Sequence, residues 1–281
     1  MLNEARQKDL DSRLRPLLEG FSGIVGISLR HEKTGLAYSF GGGHVFSAAS
    51  TAKLFVLGAL LEQADKNELK LEERLTLASG DKMTGSGILK ELDEGLALTI
   101  KDLATLMIIK SDNTATNMLL DRMGGPDAVN VHLEAAGLTK SRVNRKISGD
   151  PLVVRGLEFA HAEPDEMTDY LARMKKGMLV KKPSSDLFYG ILQKQQYLDF
   201  FPRYLPLKGD SGGVEPSVSI ANKTGFMDGI RADCGYLAAD NELFSYAVMI
   251  NGCKDKACTV DNEGSLMLAK IGRVIYEVLC P

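Results

Sequence analysis

Ser50-Thr51-Ala52-Lys53-Leu54-Phe55-Val56-Leu57-Gly58-Ala59-Leu60-Leu61-Glu62 is an apolar run without proline, long enough for a buried helix, that opens on a serine near the N-cap position. On a helix, Ser50 and Lys53 share a face. The pairing has a chemical purpose, because a serine hydroxyl is a poor nucleophile until a neighbouring base removes its proton. A lysine can be that base when burial lowers its pKa.

A Ser-x-x-Lys pair arises by chance roughly once in a chain of this length, and Ser79-Gly80-Asp81-Lys82 is a second copy. That copy is interrupted by glycine and aspartate, precedes no apolar helix and reads as a solvated turn. Position also separates two copies of Lys-Thr-Gly. Lys33-Thr34-Gly35 lies between the strand-like runs 23–30 and 36–40 and reads as a hairpin turn. Lys223-Thr224-Gly225 instead ends the alternating run 217–222, where a cation and a hydroxyl can line a cleft beside a sheet edge. Between them, Ser111-Asp112-Asn113 joins the helical stretches 102–110 and 114–121. Beside Ser50 it offers a hydroxyl for proton relay in Ser111 and a carboxamide for substrate in Asn113.

The three strings in this order resemble a class A beta-lactamase, within the wider family of penicillin-recognising serine acyltransferases. The resemblance extends to Phe46–Lys53, Gly85–Leu89, Leu98–Ile108, Ser111–Asn117, Ala221–Gly225 and Gly229–Asp233, and spans roughly residues 20 to 278. It implies Ser50 as the acylated nucleophile, Lys53 as a base in reach of it, and Ser111 as the donor to the departing lactam nitrogen. It further implies that Asn113 binds the substrate's side-chain amide. Lys223, Thr224 and Gly225 would form the strand edge that receives a carboxylate, with Arg231 a second cation. The backbone N–H groups of Ser50 and Phe226 would form the oxyanion hole, where losing one donor costs about 3 kcal/mol.

The chain departs from the family at one decisive place. The resemblance calls for a Glu-x-x-Leu-Asn string in the omega loop, whose glutamate activates the water that releases the acyl group. No such string occurs, and ungapped counting from Asn113 to Pro164 puts Ile147 in the glutamate's place and Pro151 in the asparagine's. Asp150 is the first substitute base and Glu158 the second. Phe226 is a further departure, since a small or hydroxylated residue is usual there and a bulky ring narrows the site.

Gly209-Asp210-Ser211-Gly212-Gly213 has the form of a different serine nucleophile loop. That chemistry needs a histidine partner, and His31, His44, His132 and His161 sit in no matching motif. The segment lacks the strand and helix of a nucleophile elbow as well, so it reads as a glycine loop.

With 281 residues, 44% of them hydrophobic, and a net charge of −3, the chain can bury a sizeable core in one or two packed domains. It carries no basic stripe for nucleic acid and no apolar run near 18 residues for a membrane span. The expected partners are a small-molecule beta-lactam or a D-alanyl peptide, with a monomeric chain. Cys234, Cys253, Cys258 and Cys280 allow three pairings, and reduced thiols are the default; a lone Cys-x4-Cys is a poor zinc signature, so no metal or cofactor is expected. The first twenty residues read as a charged amphipathic helix rather than a leader, which makes the chain as written cytoplasmic, or exported if a leader has been removed.

The expected fold is α+β. A helix and two strands occupy 3–45, helices dominate from 50 to about 195, strands return at 217–224, 231–239 and 243–251, and a helix covers about 262–279. Residues 1–49 and 196–281 would form a domain with an antiparallel five-stranded sheet flanked by the terminal helices. An all-helical domain, 50–195, would be inserted into it, with the active site in the cleft between them. The expected function is serine beta-lactamase-type hydrolysis through an acyl-Ser50 intermediate. A D-alanyl peptidase, esterase or transacylase with the same chemistry is the first alternative, favoured by the missing glutamate, and a non-catalytic lactam sensor is the second.

Overall fold

The computed structural model describes residues 2–149, 159–207 and 218–280. Its elements in chain order are α1 (Glu4–Leu18), β1 (Ile24–His31), β2 (Ala37–Phe40), β3 (Phe46–Ser47), α2 (Lys53–Asp65), β4 (Arg74–Thr76), β5 (Ala97–Thr99) and α3 (Ile100–Ile109). There follow α4 (Asn113–Met123), α5 (Pro126–Ala135), β6 (Arg142–Val143), β7 (Ala160–Ala162), α6 (Pro164–Lys175) and α7 (Lys182–Leu192). The chain closes with β8 (Val218–Met227), β9 (Ile230–Ala239), β10 (Glu242–Asn251) and α8 (Glu263–Leu279).

The two chain ends build one sheet, because β1 pairs along its whole length with β10, from Ile24 opposite Asn251 to His31 opposite Phe244. The order is β2-β1-β10-β9-β8 and every pairing is antiparallel. Period-two alternation then sends side chains to opposite faces. Val218, Leu237, Phe244, Tyr246 and Val248 enter one core with Leu10 and Leu14 of α1 and Ile271 and Ile275 of α8. Ala221, Ala232, Cys234, Tyr236 and Met249 face the other core, with Phe55, Leu57, Met167 and Leu171. The sheet is therefore covered by helices on both faces, as an α+β layer architecture requires.

In the second core α2 is the central element. Every residue from Lys53 to Leu61 is buried, which is why its sequence is apolar all round rather than amphipathic. Short strands accompany the helices here: β4 pairs with β5, and β3, β7 and β6 form a small sheet. At two or three residues each, they are too short to leave a periodic signal in the sequence. Among the described residues, no helix is long and apolar enough to cross a membrane.

Candidate active site

The end of β8 that carries Lys223-Thr224-Gly225 meets the turn preceding α2. A Cβ on Gly225 would stand 3.0 Å from the Ala48 carbonyl oxygen and 3.2 Å from Thr51 Cγ2, so glycine admits this close approach where a side chain would press the turn outward by a few tenths of an ångström. Ser50 lies in that turn, a short 3-10 segment over Ala49–Ala52, rather than at the α-helical N-cap. The cause is Ala49, whose φ of 43° places it in the left-handed region and delays the helix until Lys53.

Lys53 therefore projects from the first turn of α2 and is wholly buried. Its Nζ donates to the Ser111 carbonyl oxygen at 2.7 Å, to Asn113 Oδ1 at 2.9 Å and to Ser111 Oγ at 3.2 Å. Burial pushes its pKa well below the ordinary lysine value; the charge of Lys223 pushes the same way and that of Asp112 opposes. Its place at a helix N-terminus also disfavours an ammonium. Two of the three acceptors cannot donate, whereas Ser111 Oγ can do either. A neutral amine with two N–H bonds and a lone pair is thus satisfied here as fully as an ammonium.

Ser111 presents both its carbonyl and its hydroxyl to Lys53 because it has a φ of 52°. The next residue holds that conformation in place. Asp112 caps α4 by accepting from Ala115 N at 3.0 Å, while its other oxygen accepts from Ile88 N at 2.7 Å and Leu89 N at 2.9 Å. Gly87, with a φ of 113°, lies against that carboxylate, and a Cβ there would collide with it. Asn113 Nδ2 donates to the Thr84 carbonyl oxygen at 3.0 Å, so the middle string also fixes the 84–89 loop, which contributes Ser86 to the cleft.

Ser50, Ser111, Thr224 and Phe226 line a cleft of about 300 Å3, and Tyr197, Asp199, Phe200 and Val260 line it as well. A second lobe of about 260 Å3 shares Ser50, Ser86 and Phe226 and runs past Asn113 to Ile147, Ser148 and Phe159. Phe226, 42% exposed, lines both lobes. Lys223 is buried beneath the cleft, where its Nζ donates to the Thr224 carbonyl oxygen at 2.7 Å; burial lowers its pKa to about 7 against the opposing charge of Asp233. Burial raises Asp233 to about 7, opposed by donation from Asn222, Tyr246 and the Phe201 N–H and by Lys223.

The structure does not bring the Arg231 guanidinium to the cleft wall. It is buried, donating to the carbonyl oxygens of Met227, Ile230 and Ala257 and to Ser265 Oγ, with its charge 4.2 Å from the centre of the Phe226 ring. Its place is behind Phe226, bracing the turn between β8 and β9 and the loop before α8. Asp150, Glu158 and the loop around Ser211 lie outside the described residues. Ile147 is described: its backbone is held by Asn117, which donates to its carbonyl oxygen at 2.9 Å and accepts from its N–H at 3.0 Å.

Asp112, Asn117 and the Tyr197-to-Phe200 wall escaped reading from sequence. An aspartate just ahead of α4 (Asn113–Met123) is a cap signal that would have found the first; the wall carries only an aromatic cluster. The four cysteines are free thiols, and no cluster of metal-ligating side chains occurs among the described residues.

A five-stranded antiparallel sheet with a helical layer, and a lysine-serine site where the two meet, is a beta-lactamase/transpeptidase-like fold. The chain belongs to the beta-lactamase enzyme family, whose model matches residues 9–279. The crystal structure of a beta-lactamase from Sphaerobacter thermophilus is 29% identical, covering 95% of this chain and 96% of that one with a TM-score of 0.84. Beta-lactamase BRO-1 of Moraxella catarrhalis is 25% identical over 281 residues, covering 96% of this chain and 85% of that protein. With beta-lactamase CARB-4 of Pseudomonas aeruginosa the chain is 27% identical over 143 residues, about half the length of each.

Proposed function

We propose that this protein is a serine hydrolase of the class A beta-lactamase type, acylated at Ser50 by beta-lactams. The observation that carries the reading is the set of hydrogen bonds from buried Lys53 to Ser111 and Asn113 at the foot of the cleft lined by Ser50. Neutral Lys53 takes the Ser50 Oγ proton as Oγ bonds to the lactam carbonyl carbon, the resulting oxyanion facing the Ser50 and Phe226 N–H groups. The carbon–nitrogen bond then breaks, the nitrogen takes the proton of Ser111 Oγ, and Lys53 returns one to Ser111. Asn113 orients the acyl side chain, while Thr224 and Lys223 receive the carboxylate. Residues 50–195 and the sheet domain from 1–49 and 196–281 form the two walls.

Release of the acyl group is the slow half of this scheme. Ile147 supplies no base, which leaves Asp150 as the proposed activator of water. The same feature favours a second reading, in which Ser50 passes its acyl group from a D-alanyl peptide or ester to water or an amine. Intact-mass spectrometry over time with excess penicillin, with Ser50→Ala alongside, separates them. An adduct that forms and clears supports lactam hydrolysis, one that persists supports the second reading or a sensor, and labelling that survives Ser50→Ala removes Ser50 as nucleophile.

A further inference from the structure

The lobe that contains Ser111 and Thr224 also contains Tyr197, Asp199 and Phe200. If Ser111 protonates the departing nitrogen and Thr224 holds the carboxylate, this lobe receives the leaving half of the substrate. Asp199 is the single charged side chain among the described residues lining it; Lys53, Lys223 and Arg231 lie buried behind it. The Asp199 carboxylate is exposed and makes no ion pair or hydrogen bond with another described residue. Two aromatic side chains flank it, and Tyr197 already meets a cation, with Lys110 Nζ 5.6 Å from its ring centre.

A free carboxylate in this position opposes a leaving half that carries only its own carboxylate. It favours one that carries a cation as well, and aromatic faces accept such a cation. We infer that Asp199, with Tyr197 and Phe200, selects substrates whose leaving half bears a cationic group beyond the carboxylate, such as a cephalosporin with a quaternary ammonium at C3. The inference rests on the acyl-serine reading and adds a specificity residue to it, through attraction to one class of leaving group and repulsion of another.

Cephaloridine and cephalothin test it, because they share an acyl side chain and differ in a pyridiniummethyl against an acetoxymethyl group at C3. Second-order rate constants for acylation of Ser50 are measured for both, and the ratio between the two is compared across variants, which cancels their intrinsic reactivity. Asp199→Asn is expected to lower the cephaloridine-to-cephalothin ratio about fivefold, the scale of one partly exposed charge pair. Asp199→Glu, which keeps the charge, is expected to retain most of it. A ratio that Asp199→Asn leaves unchanged, with Ser50 still labelled by cephalothin, overturns this inference alone. Failure of both lactams to label Ser50 overturns the acyl-serine reading and the inference with it.

Discussion

The side-chain nitrogen of Lys53 lies 2.7 Å from the carbonyl oxygen of Ser111, a residue held at a φ of 52°. Five described residues other than glycine have positive φ, and three of them, Asn67, Asp240 and Asn241, are types that tolerate the left-handed region. The other two are Ala49, immediately before the candidate nucleophile, and Ser111. Both departures from easy backbone geometry thus sit at the candidate site, where surrounding contacts hold them.

Ser111→Gly separates geometry from chemistry. Glycine takes this φ without cost, so the Lys53-to-carbonyl bond survives while the hydroxyl is lost. We expect Tm to stay within a few degrees of the parent's and lactam acylation to fall by about 100-fold. Differential scanning fluorimetry and acylation kinetics on the same sample check both. Near-normal acylation would remove Ser111 from the proton path.

The two lysines should give opposite pH trends. Lys53 acts as a base only when neutral, so the acylation step should quicken as pH rises through its lowered pKa and then level off. Lys223 loses its charge as pH rises through about 7, so carboxylate-bearing lactams should bind less tightly above that pH. Lys223→Met should weaken binding below about pH 7, converge on the parent above it and so flatten the pH dependence, while the acylation step keeps its rise. A series of saturation curves from pH 5 to 9 resolves the two.

Asp112→Ala leaves three backbone N–H groups without their acceptor, two of them in the loop that lines the cleft. At 1–3 kcal/mol for each buried orphaned donor, we expect a loss of about 3 kcal/mol or more and a fall in Tm on the order of 5 °C. Asp112→Asn keeps one acceptor oxygen, for the Ala115 N–H or for the Ile88 and Leu89 pair but not both, and removes the charge that favours Lys53 ammonium. Its acylation profile should therefore move to lower pH. A profile that stays in place would mean that the Asp112 charge does not reach Lys53.

The long elements were legible because their patterns exceed one period. The ten-residue strands β8, β9 and β10 alternate between two cores, and α2 is apolar on every face because every face is covered. The candidate site was legible as motifs, yet the reasons for its shape were not. That Gly225 packs against the Ala48 carbonyl and that Asp112 fastens a loop more than twenty residues away are contacts between distant segments, and the left-handed turn at Ala49 leaves no mark in an alanine. Arg231 illustrates the same limit: the family resemblance implied a second cation for the carboxylate, while the fold places its guanidinium among the carbonyl oxygens of Met227, Ile230 and Ala257.

Ile147→Glu tests the proposed cause of slow release. Ile147 shares a lobe with Ser50 and Asn113, and its backbone is fixed in both directions by Asn117. A glutamate at this position would carry a carboxylate into the acyl lobe without altering the peptide bonds that hold the segment. The substitution removes apolar contact with the core, since Ile147 packs against it, so a stability loss of about 1–3 kcal/mol is expected. Acylation should change little, because Lys53 and Ser111 carry that step. Deacylation should rise about 100-fold, the lower end of what a positioned general base supplies. The lifetime of the penicillin adduct, followed by intact mass after free drug is removed, reads that step directly. A lifetime unchanged by Ile147→Glu would mean that the position lies out of reach of the acyl carbon, and that Asp150 or another group governs release.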